Sequence, residues 1–162
     1  MHAIDAAKAS HIPAEREVTI TRVYDAPRRV VFQAWIDPKH LQRWWGPKSF
    51  TNPVCEVDAR IGGAWRIVMR APNGEEYPAV GIYQEIVEPE RLVFTNNAID
   101  KNGNIIIEGF TTVTFAEENG KTKLTLQTRG VARVPYAAAY LQGMEAGWTQ
   151  SLQRLAEEIS RI

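Results

Sequence analysis

At 162 residues the chain suits one domain with its own core, since a protein of this size buries roughly two-thirds of its unfolded surface. Lys plus Arg and Asp plus Glu each total 19, so no basic surplus argues for nucleic acid, and none is expected as a partner. The 44% hydrophobic and 23% charged content excludes the disordered class, and no apolar run approaches the ~18 residues of a membrane span.

Residues 1–15 show no sustained period and lack the apolar stretch of a signal peptide. They read as a loose leader to a single domain over 16–162, with a reducing cytoplasm as the expected compartment. From 17 to 24, Val18 and Ile20 alternate with Thr19 and Thr21, a β-branched pattern that predicts a strand. Asp25-Ala26-Pro27 opens a helix, with Asp25 or Ala26 at the cap and Pro27 in the first turn. Val30, Val31, Ala34 and Trp35 keep helical spacing up to Pro38, whose ring pushes the preceding residue out of α geometry. A second short helix carries Leu41 and Trp44 and stops at Gly46-Pro47.

Hairpin punctuation follows. Strands are predicted over 55–58, 64–70, 77–87, 91–96, 105–115 and 121–128, separated by turns at Gly62-Gly63, Pro72-Asn73-Gly74, Glu88-Pro89-Glu90 and Asp100 to Gly103. Asn119-Gly120 is the clearest of these signals, because the pair suits a type I′ turn. Arg66 and Arg70 mark a wet face, so Trp65, Ile67 and Met69 should point inward. The lone cysteine, Cys55, builds neither a disulfide framework nor a thiolate zinc site and reads as a small core residue.

After Pro135 the period changes. Tyr140, Leu141, Met144, Trp148, Leu152, Leu155 and Ile159 recur at three and four residues, which predicts one long helix with a single apolar stripe. Trp148, Leu152 and Leu155 should be buried against the sheet. Gly143 and Gly147 each cost such a helix ~1 kcal/mol against Ala, so they suggest that a backbone or a ligand approaches closely.

This order of elements carries Tyr24-Asp25-Ala26-Pro27, Trp44-Trp45-Gly46-Pro47, Gly62-Gly63-Ala64-Trp65-Arg66 and Gly81-Ile82-Tyr83-Gln84-Glu85-Ile86. Further on come Pro89-Glu90-Arg91-Leu92-Val93-Phe94-Thr95 and Gly143-Met144-Glu145-Ala146-Gly147-Trp148. Together they resemble the Hsp90-activator-like family of the START-like (SRPBCC, helix-grip) superfamily. The resemblance implies an α+β fold: a curved antiparallel β-sheet wrapped around a long C-terminal α-helix, with two short helices after the first strand. It also implies a cavity between sheet and helix for an apolar small molecule. Relatives include lipid carriers, hormone receptors, polyketide cyclases and a domain of the Hsp90 co-chaperone, so the fold leaves the function open.

Candidate residues for such a cavity are Trp35, Trp44, Trp65, Ile67, Met69, Tyr83, Phe94, Asn96, Glu108, Thr111, Val113, Tyr140, Met144 and Trp148. Asn96 follows the inward parity of Leu92 and Phe94 at a position where relatives often carry Trp. Glu108 would be a buried carboxylate if it faced inward, and would then need a partner. His2, His11 and His40 share no ligand spacing, so no metal is expected, and no phosphate loop or serine elbow implies a cofactor or nucleophile. Ligand binding therefore ranks ahead of a cyclase or aromatase activity. An Hsp90-type chaperone partner ranks lower still, since the chain has no room for the co-chaperone's separate N-terminal domain. A monomer or weak homodimer is expected.

Overall fold

The computed structural model describes residues 14–162. The expected leader, 1–15, lies outside the described residues except for its last two, as do His2 and His11. Eight strands form one antiparallel sheet: β1 (Glu15–Tyr24), β2 (Thr51–Val57), β3 (Ala64–Arg70), β4 (Glu76–Val87), β5 (Arg91–Thr95), β6 (Asn97–Ile99), β7 (Ile105–Glu118) and β8 (Lys121–Ala132). The order across it is β1-β8-β7-β5-β4-β3-β2, with β6 pairing β4 and β7. The helices are α1 (Arg28–Ile36), α2 (Pro38–Trp44), α3 (Ala138–Gln142) and α4 (Met144–Ile159).

Local chemistry accounts for most boundaries. Pro27 occupies the N-cap of α1, one residue later than the sequence suggests, and no side chain caps it. Asp37 caps α2, its carboxylate accepting from the Lys39 amide at 2.9 Å, with Pro38 in the first turn. Asn119 and Gly120 both take positive φ, as a type I′ turn demands. The short β6 was not legible because the chain steps sideways at Asn96. Its amide donates to the Gly109 carbonyl at 3.0 Å before pairing resumes with β4 and β7.

Pairing register builds the inner face as rows. One row runs Phe94, Thr111, Thr128, Val18, and the next runs Leu92, Val113, Leu126, Ile20. All eight side chains are buried. Leu152, Leu155 and Ile159 of α4 join this core, as do Val31, Phe32 and Trp35 of α1. The Tyr24 hydroxyl reaches across to donate to the Leu152 carbonyl at 2.9 Å, tying β1 to α4.

The single long helix expected at the C-terminus is two helices. The chain breaks at Gly143, with φ −89° and ψ 0°, between α3 and α4. Arg16 of β1 covers the joint: its guanidinium donates to the carbonyls of Leu141 (2.9 Å) and Gln142 (2.7 Å) and pairs with Glu145 at 3.1 Å. A Cβ on Gly147 would meet nothing within 4 Å, and one on Gly143 only its own Tyr140 carbonyl at 3.8 Å. The close approach occurs instead on the sheet, where a Cβ on Gly130 would lie 2.9 Å from Leu141 Cδ2. Gly130 is what lets α3 sit down.

Leu155 is fully buried, whereas Trp148 is only half-buried. Leu155→Ala should therefore lose about 2–5 kcal/mol of unfolding free energy in urea, and Trp148→Ala less than the ~3–5 kcal/mol of a fully buried aromatic. A larger loss at Trp148 than at Leu155 would contradict this account of the helix packing.

Candidate functional site

The concave face closes over an aromatic cluster centred on Trp35. Its ring stands edge-on to Trp44 at 4.6 Å between centroids, stacks on Trp148 at 6.1 Å, and lies 6.2 Å from Phe94 and 6.4 Å from Phe115. Trp45 packs on Trp148 at 5.2 Å and on Trp65 at 5.5 Å, and Tyr83 meets Phe94 at 6.4 Å. Such offset and edge-to-face pairs each add about 0.5–1.5 kcal/mol beyond the area they bury.

Inside this cluster an internal cavity of about 10 Å³ is lined by Trp35, Leu41, Trp45, Trp65, Ile67, Tyr83, Leu92 and Phe94. That is about one water's worth of space. The expected open cavity is, in this conformation, filled by its own walls. The polar side-chain atoms of the wall are the indole nitrogens of Trp35, Trp45 and Trp65 and the Tyr83 hydroxyl. Burial pushes the Tyr83 phenol well above its ordinary pKa, with Cys55 and Asp58 adding to the shift, so it stays neutral.

Of the sequence candidates, Trp35, Trp44, Trp65, Ile67, Tyr83, Phe94, Thr111 and Val113 are buried on this face. Met69, Met144 and Trp148 are half-buried at its margins. Asn96 is half-buried and packs against Gly109, and its side-chain oxygen accepts from the Thr111 hydroxyl at 2.8 Å. Thr111 in turn shares a 2.7 Å hydrogen bond with Thr128.

Two candidates lie elsewhere. Glu108 has the opposite parity to Thr111 and lies on the outer face. There Arg133 grips it at 2.7 and 2.8 Å and holds its carboxyl below the usual range. Tyr140 is 51% exposed and stands edge-on to Tyr136, while its neighbour Leu141 takes the buried side of α3. Trp45, absent from the candidates, is a cavity wall. The Trp44-Trp45 doublet ahead of Gly46 is the signal that pointed to it.

Trp45 is held in place by a charge. Arg154 of α4 donates to the carbonyls of Trp45, Gly46 and Pro47, each at 3.0 Å, and of Arg43 at 3.0 Å. Arg43 and Trp45 stand at the end of α2, where carbonyls lack helical partners, and Gly46 and Pro47 lie in the loop that follows. Partial burial pulls the guanidinium's pKa down from its ordinary value. A second charged joint lies one turn on. The Glu158 carboxylate, 1% exposed, meets His40 Nδ1 at 2.7 Å, Arg161 at 3.3 Å and Arg43 at 3.4 Å. That pairing is the role of the one described histidine. Among the described residues no group of three metal-ligating side chains gathers.

On the opposite face of the sheet a broad depression of about 490 Å³ opens to solvent, with Glu56, Arg66, Val80, Ile82 and Asn97 in its walls. It mixes opposite charges and holds no buried polar group. Among the described residues, no helix is long and apolar enough to cross a membrane.

Residues 25–160 match the family described as activator of Hsp90 ATPase homolog 1-like protein. A protein from Chromobacterium violaceum, known from its crystal structure, is 32% identical with a TM-score of 0.74, over 88% of this chain and 96% of that one. The AHSA1 protein of Silicibacter pomeroyi is 26% identical with a TM-score of 0.75, over 90% of this chain and 98% of that one. A solution structure from Arthrobacter aurescens, 22% identical with a TM-score of 0.76 over 90% of this chain and 87% of that one, shares the fold. No functionally curated protein matches the chain.

Two measurements check the site's construction. Arg154→Lys keeps the charge but loses the planar fork, so it should cost about 1–3 kcal/mol and alter the near-ultraviolet circular dichroism of the tryptophans. An unchanged spectrum would mean that Arg154 does not position Trp45. Burial, reinforced by Glu56, pushes the Cys55 thiol up to about 11. At pH 8 its reaction with a disulfide reagent should be on the order of a hundredfold slower than that of a free cysteine. Reaction at the free-cysteine rate would show that Cys55 is not shielded.

Proposed function

Because the chain belongs to the activator of Hsp90 ATPase homolog 1-like family, within the SRPBCC helix-grip fold, we propose that it binds a compact apolar or aromatic molecule between the sheet and α4. The observation that carries this reading is a contrast in burial. The floor residues Trp35, Ile67, Leu92 and Phe94 are each at most 3% exposed, while the roof residues Met144 and Trp148 are only half-buried.

The roof also follows directly on the Gly143 break, and the charged contact covering that joint, Arg16 to Glu145, is solvent-exposed. Exposed pairs of this kind are worth about 0–1 kcal/mol, so lifting this end costs little in charge pairing. The other end of α4 is fastened by Arg154 and Glu158. A ligand then enters by displacing Trp148 and Met144, and its ring takes over the apolar contacts they made. Binding is favoured over chemistry because the wall offers indoles and a phenol, with no carboxylate, imidazole or thiol among its lining residues.

The apolar dye N-phenyl-1-naphthylamine should bind saturably at one site, brightening as it quenches tryptophan emission, and native mass spectrometry of freshly purified protein should show a retained small molecule. Met144→Trp, which enlarges a half-buried roof residue, should weaken the dye while leaving the fold intact. Equal affinity in the folded variant would put the site elsewhere, and no saturable binding by the wild type would end the proposal.

A further inference from the structure

One polar atom at the centre of the cluster has no partner. Trp35 is 2% exposed, and its Nε1 finds no hydrogen-bond acceptor among the described residues. Neighbouring indoles are treated differently. Trp44 donates to the Ala34 carbonyl at 2.8 Å, and Trp65 to the Thr95 carbonyl at 3.1 Å. Buried donors are almost always paired, and leaving one unmade forfeits the hydration it had in the unfolded chain. The nearest ring, Trp44, offers only a π face, a far weaker acceptor than an oxygen.

The rest of the wall does not supply what Trp35 lacks. Indole nitrogens only donate, the Tyr83 hydroxyl does not reach Trp35 Nε1, and the remaining lining residues are hydrocarbon. An acceptor arriving with a ligand would find the Trp35 N–H waiting. An ammonium group would find indole donors and no carboxylate to replace its water. The residual space of about 10 Å³ beside Trp35 is the size of one oxygen atom rather than of a ring.

We infer that the molecule taken into this cavity is an uncharged aromatic or alicyclic compound bearing a carbonyl or ether oxygen, and that this oxygen accepts from Trp35 Nε1. The inference rests on the binding reading above and adds to it the one polar atom of the ligand. The body of the molecule takes volume that the half-buried Trp148 vacates beside the Trp35 ring, with its oxygen in the ring plane in line with Nε1–H.

The test uses wild-type protein labelled with nitrogen-15 and three probes of nearly the same shape: acetophenone, isopropylbenzene and 1-phenylethylamine. The Trp35 indole N–H signal is assigned through bonds from its own side-chain carbons, so no core variant has to fold. Acetophenone should move that signal downfield and bind at least about tenfold more tightly than isopropylbenzene, with the protonated amine weakest. Equal affinity for ketone and hydrocarbon with the Trp35 signal unmoved would overturn the inference while leaving the binding reading standing. The same holds if the amine binds as well as the ketone. If none of the three binds at millimolar concentration, the cavity reading itself falls and this inference falls with it.

Discussion

The guanidinium of Arg154 is the interaction on which the site depends. A helix as short as α2 ends with carbonyls that its own backbone cannot satisfy, and the loop that follows it lies against α4. Arg154 takes four carbonyls at once, those of Arg43 and Trp45 at the helix end and of Gly46 and Pro47 in the loop. A planar fork suits that task because several donors are fixed in one plane with a single charge behind them. With the loop held, Trp45 turns inward and becomes a wall shared with Trp65 and Trp148.

The buried carboxylate of Glu158 repeats the arrangement one helical turn later, drawing His40 and Arg43 of α2 and Arg161 beyond α4 onto one acceptor. An ion pair in a protein interior is weak evidence for stability, since desolvation offsets much of the attraction. Its firmer consequence is geometric, because both charged joints tie α2 to the same end of α4. The opposite end rests on Met144, Trp148 and an exposed arginine contact. The helix is thus pinned at one end and lightly held at the other, an asymmetry that any uptake of a ligand under α4 would use.

The cavity is closed because its walls interlock. Five tryptophans in a chain of 162 residues could line an open hollow or fill a core. The measured centroid separations, from 4.6 to 6.4 Å among Trp35, Trp44, Trp45, Phe94, Phe115 and Trp148, are those of a filled one. The unpaired Nε1 of Trp35 sits within this packing. Dispersion and burial pull the rings together, and the indole N–H forgoes its partner as the cost.

The order of elements apart from β6 and the break at Gly143, the α+β class and the inward parity of Trp65, Ile67, Leu92 and Phe94 were legible in the sequence. Alternation, proline boundaries and an Asn-Gly turn are written in neighbouring residues. Parity also had the information to exclude Glu108, which is three residues from the buried Thr111 and so faces the other way. Its partner Arg133, 25 residues away, could be found only in the folded chain. The break at Gly143 was hidden for a related reason. A three-and-four spacing continues through α3 and α4, but Arg16 from the first strand caps α3, and Gly130 from the last lets Leu141 settle against the sheet. Local periodicity decides which residues form a helix face. Contacts made only in the folded chain, such as Arg16 to Leu141 across 125 positions and Gly130 to Leu141 on the sheet, decide where that helix stops, whether Tyr140 or Leu141 lies beneath it, and how little space remains around Trp35.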